Sequence, residues 1–283
     1  MIICRTIASF HKTLKMPVQS KATIGFVPTM GALHQGHLSL IELSKKQTDI
    51  TVCSIFVNPT QFNDPKDFDK YPVTIEKDVH LLELATCDIL FLPSVNEMYP
   101  NGIVAKQHYE LGYLENLLEG SFRPGHFQGV CQVVHRLLDI VQPSTLFLGQ
   151  KDYQQCMVIR KLIELIGMDK TDLVIGKTLR EASGLAMSSR NMRLNEEEKQ
   201  KATVIYQTLT SIKQNIQTGS LLQLLTEANE KIKDAGFEKI DYISICNATT
   251  LQPVEAWDGH EKLVALVAAF INGVRLIDNA ALN

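Results

Sequence analysis

"TIGFVPTMGALHQGHLSLIELSKKQ", residues 23–47, decides the fold. The apolar run 23–27 has the length and continuity of a strand covered on both faces, and apolar residues recur at helical spacing over 38–47. Strand, Pro/Gly turn and helix in that order are the first half of a βαβ unit. His34 and His37 stand three residues apart in the turn, around Gln35 and Gly36. Gly31 and Gly36 let backbone amides approach a ligand, and Gly36-His37 opens a helix whose free N–H groups and dipole favour an anion. At that spacing both rings can face one phosphate and donate hydrogen bonds to charge developing on a transferred phosphoryl group. Two bland readings compete: histidines that merely cap the helix, and a zinc pair. A zinc pair would need a third ligand, and no nearby Cys or His supplies one.

Further apolar runs at 50–57, 88–92, 144–149 and 172–176 read as strands. Helical patterns at 74–85, 127–141 and 153–167 lie between them, and the N-terminus reads as strand then helix rather than a transit peptide. This alternation predicts a parallel sheet with helices on both faces, whose ligand lies at the carboxyl ends of the strands. Near residue 177 the pattern changes. Asn195 and Glu198 form a capping box for a long helix to about Gln217, Leu221–Ala235 reads as another, and 241–248 and 262–271 read as strands. The expected organisation is a domain over 1–177 and a smaller α+β domain over 178–283.

With 28 basic against 31 acidic residues the net charge of −3 gives no electrostatic reason to expect nucleic acid. The longest apolar run, 263–271, is about half of what a bilayer requires, so no membrane association is expected. The six cysteines show no metal or redox spacing and read as reduced, buried thiols of a cytoplasmic protein.

Four other stretches carry candidate chemistry. "LAMSSRN" (185–191) offers two hydroxyls and an arginine that can hold phosphate oxygens, against the reading of an exposed loop before a helix. "FLGQKDYQQ" (147–155) brings Lys151 and Asp152 to a strand end, with Gln154 and Gln155 in the first turn of a helix; a solvated Lys-Asp pair is the competitor. "FVNPTQF" (56–62) places Asn58 and Gln61 at another strand end as uncharged donors for a hydroxyl and a carboxylate. "EGSFRPGHFQGV" (119–130) puts Arg123 and His126 in a Gly/Pro loop, read as a flap or wall.

In order and spacing, "PTMGALHQGH", "FVNPTQF", "EGSFRPGHFQGVCQVV", "GQKDYQQ" and "GLAMSSRN" resemble the pantothenate synthetase (pantoate-beta-alanine ligase) family across essentially the whole chain. The resemblance implies a Rossmann-like α/β domain of the HxGH nucleotidyltransferase superfamily, a smaller α+β C-terminal domain, and a homodimer. It implies attack of pantoate on the α-phosphate of Mg-ATP, with Mg²⁺ carried on the phosphates, and then attack of β-alanine on pantoyl adenylate to release AMP. Carried over position by position, it makes Met30, Gly31, Ala32, Leu33, His34, Gln35, Gly36 and His37 an ATP segment, with His34 and His37 at the phosphates. Gln61 and Gln155 become pantoate glutamines. Gly149, Gln150, Lys151, Asp152 and Leu179 become nucleotide-binding. Met187, Ser188, Ser189 and Arg190 become a phosphate loop similar to the KMSKS loop of class I aminoacyl-tRNA synthetases. Lys151 and Arg190 join the histidines as catalytic candidates. Two positions depart from the family: Ser183 stands where Asp is usual, and Gln150 where Glu is common. The rivals are an adenylyltransferase that leaves AMP on its product and a nucleotide-binding regulator without turnover.

Overall fold

The computed structural model describes residues 1–19, 21–62, 65–102 and 107–283. Among them, β1 (Ile2–Cys4), β2 (Ile24–Thr29), β3 (Ile50–Ile55), β4 (Ile89–Phe91), β5 (Thr145–Gly149) and β6 (Asp172–Gly176) form one sheet. Its order is β1-β4-β3-β2-β5-β6, with every neighbouring pair parallel. Helices Ile7–Gln19, Gln35–Gln47, Ile75–Leu84, His126–Val141 and Tyr153–Leu165 alternate with the strands. Because helices cover both faces, most residues of β2 to β5 are buried irrespective of alternation, which is why these strands read as continuous apolar runs.

Strand order reverses at β2: β3 and β4 lie on one side, β5 and β6 on the other. β2 pairs with β5 only at Gly25 and Phe26, so Pro28 sits where the two strands have already parted. A proline here therefore removes no hydrogen bond to β5. The diverging ends lead directly into Met30 on one side and Gln150 on the other, the switch point at which open α/β sheets bind ligands. Gly25 lets helix Gln35–Gln47 lie against β2, since a Cβ there would come within 2.2 Å of Ser44 Oγ.

Contacts divide the chain into two compact units: Met1–Asn116 with Arg123–Gln150 and Gln155–Lys177, and Leu117–Phe122 with Lys151–Gln154 and Thr178–Asn283. Two short segments from the first 177 residues are thus grouped with the C-terminal unit. In that unit β11 (Val274–Ala281), β10 (Leu263–Ile271) and β8 (Lys239–Asn247) make an antiparallel sheet, and β7 (Gly219–Ser220) pairs with β9 (Ala256–Trp257). Ile205, Leu209 and Ile212 of one helix and Ile232 of another share a core with Val267 and Leu276 of the sheet.

Two expectations are corrected here. The long helix is two, Glu196–Ala202 and Val204–Asn215, because Thr203 turns its hydroxyl and its N–H back to the Gln200 carbonyl and tightens the turn between them. The capping box at Asn195 and Glu198 is present with both bonds. The second correction is β11, a strand beyond the two expected in this unit. Asn272 (φ 47°) and Gly273 (φ 65°) connect it to β10, and an Asn-Gly pair between apolar runs is the local signal for such a hairpin. All six cysteines are buried free thiols, and burial pushes Cys87 and Cys131 up to about 12.

Candidate active site

In the first unit the chain leaves β2 through a turn with Gly31 at φ 83° and Ala32 at φ 48°, both left-handed. Gly31 N–H donates to Thr29 Oγ1 at 3.2 Å. Ala32 and Leu33 N–H donate to the two oxygens of Asp78 at 2.9 and 2.8 Å, and Thr74 adds its hydroxyl at 3.0 Å. Asp78 is fully buried. Nothing in the sequence marks it, inside an ordinary amphipathic helix pattern 46 residues from the turn it grips.

His34 is the N-cap of helix Gln35–Gln47. Gly36 N–H donates to His34 Nδ1 at 3.2 Å, and His34 N–H donates to His37 Nδ1 at 3.3 Å, a capping box built from two imidazoles. The rings lie 4.0 Å apart, tilted by 32°. Each Nδ1 accepts, so each neutral ring carries its proton on Nε2. The capping reading is therefore realised on one edge of each ring, and Nε2–H is the donor the other edge can offer. The amides of Gly31, Ala32, Leu33 and Gly36 are taken up inside the turn, contrary to the expectation that the glycine amides would face a ligand.

Gln61 ends the short turn Pro59–Gln61, and its amide nitrogen lies 2.7 Å from the Met30 sulfur, which brings two predicted residues together. Its carbonyl accepts from His126 Nδ1 at 2.7 Å and Arg123 Nη2 at 3.4 Å, while Arg123 Nη1 donates to His126 Nε2 at 3.0 Å. Arg123 and His126 hence support the glutamine's backbone. Gly129 permits the close fit: a Cβ there would lie 2.2 Å from the Thr60 carbonyl oxygen. Asn58 is 1% exposed. Its amide donates to Thr60 Oγ1 and the Gly129 carbonyl, and its carbonyl accepts from Tyr99 OH at 2.9 Å. With both N–H directions used, Asn58 shapes the turn and is not the substrate donor expected of it. Gly149 closes β5 with open space where a side chain would be, and Gln150 follows. Gln155 is half-buried with no side-chain hydrogen bond among the described residues.

In the second unit Lys151 is largely buried, with its ammonium 3.5 Å from Asp152 and its carbonyl accepting from Asn279 Nδ2 at 2.9 Å. Gln154, unlike Gln155, is fully engaged: it accepts from Glu119 N–H and donates to the Leu117 carbonyl. Leu179 to Met187 form a tight hairpin, closed by Met187 N–H to Leu179 O and Glu181 N–H to Leu185 O. Gly184 (φ 92°) passes over the Tyr206 ring, where a Cβ would come to 2.4 Å, and the Arg180 guanidinium stacks 4.3 Å from that ring. Arg180 grips Asp278 with two bonds, at 2.5 and 3.0 Å. Burial pushes the Asp278 carboxyl above its ordinary range, while Arg180, the Asn279 N–H and the Lys151 charge pull the other way. Beyond the hairpin, Ser188 caps the turn Ser189–Arg193 by accepting from Arg190 N–H, and Asn191 ties it to Glu181 and the Ala186 carbonyl. Ser183 is exposed at the hairpin tip, its hydroxyl 3.5 Å from Leu185 N.

A family model described as pantoate-beta-alanine ligase matches residues 2–281. Pantothenate synthetase of Fervidobacterium nodosum is 42% identical over 285 residues, covering 100% of both chains. That of Pseudomonas fluorescens is 47% identical over 262 residues, 92% of this chain and 90% of the other. The crystal structure of pantothenate synthetase from Thermus thermophilus superposes with a TM-score of 0.90 at 39% identity, covering 100% of this chain and 99% of that one. The pantoate-beta-alanine ligase of Francisella tularensis, complexed with beta-gamma ATP and β-alanine, gives 0.83 at 37% identity over 100% and 98%. A match over nearly the whole length, with the strand–turn–helix geometry around His34 and His37 in place, leads to one conclusion: the chain belongs to the pantoate-beta-alanine ligase family.

Proposed function

We propose that this protein condenses (R)-pantoate with β-alanine to pantothenate at the expense of ATP, through pantoyl adenylate. A pantoate carboxylate oxygen attacks the α-phosphorus, the bond to the β-phosphate bridging oxygen breaks, and pyrophosphate leaves. The β-alanine amine then attacks the acyl carbon, the acyl–oxygen bond breaks, AMP leaves and the nitrogen loses a proton. The first step converts a carboxylate, a poor electrophile, into an acyl group with a good leaving group.

The observation that carries this reading is the capping box of His34 and His37. With both Nδ1 atoms held by the backbone, two Nε2–H donors are pre-oriented at the start of a helix, where a phosphate is favoured. Attack by an ionised carboxylate moves no proton, so hydrogen-bond stabilisation of the α-phosphate is the role given to His37. Lys151, Ser188, Ser189 and Arg190 take the remaining phosphate charge, Leu179 the adenine side, and Gln61 and Gln155 the pantoate. The ligands of the Francisella tularensis relative support the ATP and β-alanine assignments. Mg²⁺ enters as part of the substrate Mg-ATP, carried on its phosphates. The reading also carries a homodimer and a cytoplasmic location.

Exchange of labelled pyrophosphate into ATP, dependent on pantoate and with β-alanine omitted, tests it. Exchange is the expected result. Folded protein that binds ATP without exchange would overturn the proposal in favour of a regulator, and AMP retained on the product would favour an adenylyltransferase.

A further inference from the structure

Strand β11 is the point at which three separate stretches of the chain are tied into the second unit. Arg275 donates from Nη1 and Nη2 to Glu119 at 2.8 and 2.7 Å, and from Nε to Asp241 at 2.8 Å. Asp278 accepts both Arg180 bonds, and the next residue, Asn279, donates to the Lys151 carbonyl. Asp278 and Asn279 are 4% and 3% exposed, although both are polar residues on an edge strand. Burying polar groups without full hydrogen bonding is unfavourable, and here each is satisfied by one of the two segments that carry phosphate-binding candidates. Arg180 is the base of the hairpin that presents Met187–Arg190. Lys151 belongs to the segment that follows β5. The two neighbours are also linked to each other, since Asn279 N–H donates to Asp278 Oδ1 at 2.8 Å. Any shift of β11 moves both anchors together.

We propose that Asp278 and Asn279 are positioning residues for adenylation, holding the Lys151 main chain and the Arg180 hairpin in one register so that the Lys151 ammonium and the Ser188–Arg190 donors meet the same triphosphate. This rests on the proposed function above. The pair acts on the ATP side of the reaction and leaves pantoate recognition to Gln61 and Gln155. A backbone carbonyl fixes where the Lys151 side chain starts, and a hairpin base fixes where the phosphate turn begins. Misplacement of either weakens the hold on ATP and is felt again in the transition state.

Asn279→Ala, Asn279→Asp and Asp278→Asn test the proposal by pantoate-dependent pyrophosphate exchange, with thermal unfolding measured on the same preparations. Asn279→Asp keeps the volume and replaces the donor by a carboxylate that repels the Lys151 carbonyl. The expected result is a fall in maximal exchange rate of roughly tenfold to a hundredfold for both Asn279 variants, the scale of a small misplacement of a reacting group. The KM for ATP rises while the KM for pantoate stays within about twofold, the signature of an interaction lost on one substrate. If Asp278→Asn or Asn279→Asp fails to fold, Asn279→Ala carries the test alone, because it deletes a neutral hydrogen bond without burying a new charge. Variants that melt earlier but exchange at the wild-type rate per folded molecule would overturn the proposal, as would equal rises in both KM values. A wild-type protein without exchange would instead overturn the functional reading, and this inference with it.

Discussion

In the first unit the His34 and His37 rings accept from backbone N–H groups two and three residues away, whereas in the second the Lys151 carbonyl and the Arg180 hairpin are held by side chains 128 and 98 residues away. Local anchoring leaves a mark in the sequence as a spacing. Non-local anchoring leaves none: nothing in "VRLIDNAAL" says that Asp278 will meet Arg180 or that Asn279 will meet Lys151. The same contrast explains Asp78, whose grip on Ala32 and Leu33 spans 46 and 45 residues within the otherwise legible half.

If local geometry sets the chemistry of the first unit, the largest effect falls on His37. His37→Ala is expected to lower kcat for adenylation by about 2–4 kcal/mol of transition-state stabilisation, on the scale of a lost oxyanion donor. Its effect on stability should be only that of a helix cap, ~1 kcal/mol. Near-normal turnover, or an unfolded variant, would break the contrast between a locally held catalytic group and a remotely held one.

Asp78→Asn is expected next, at about 3 kcal/mol of unfolding free energy, because a charged acceptor of two backbone N–H groups is replaced by one that presents a donor to one of them. Denaturant unfolding checks the magnitude. The exchange rate should fall with it, since the turn that sets the cap of His34 is loosened; a stable, fully active variant would remove Asp78 from the account.

Gln154 and Gln155 sharpen the comparison at neighbouring positions. Gln154→Ala is expected to cost ~1–2 kcal/mol of stability by orphaning the Glu119 N–H and the Leu117 carbonyl. Gln155→Ala should change stability by less than about 0.5 kcal/mol and instead raise the KM for pantoate. Reversed effects would exchange their roles. The smallest effect belongs to Ser183→Asp, which restores the usual family residue at an exposed tip. Stability should stay within about 0.5 kcal/mol, because Arg180, Asp278 and Asn191 already hold the hairpin.

The parallel sheet was legible because burial on both faces writes a continuous apolar run, as at 23–27, 50–57 and 144–149, and because Gly31 and the histidine turn punctuate one of them. Residue type and spacing suffice to single out His34, His37, Gln61 and the Ser188–Arg190 turn as the candidates on which the proposed function draws. Sequence could not separate Asn58, whose amide is taken up by Thr60 and Gly129, from Gln155, whose amide makes no hydrogen bond among the described residues. That distinction depends on Tyr99 and Gly129, which come from two other segments. Nor could it find the break at Thr203, where one side-chain hydroxyl competes with the helix ladder over a pattern that is otherwise unbroken.

In the proposed reaction the carboxylate of pantoate becomes bonded to the α-phosphate of ATP. Turnover with pantoate labelled with ¹⁸O in its carboxylate, followed by mass analysis of the nucleotide and the phosphates, tests it most directly. One labelled oxygen is expected in AMP, none in pyrophosphate, and the other in the amide of pantothenate. Label in inorganic phosphate with ADP as the nucleotide product, or AMP free of label, would contradict it.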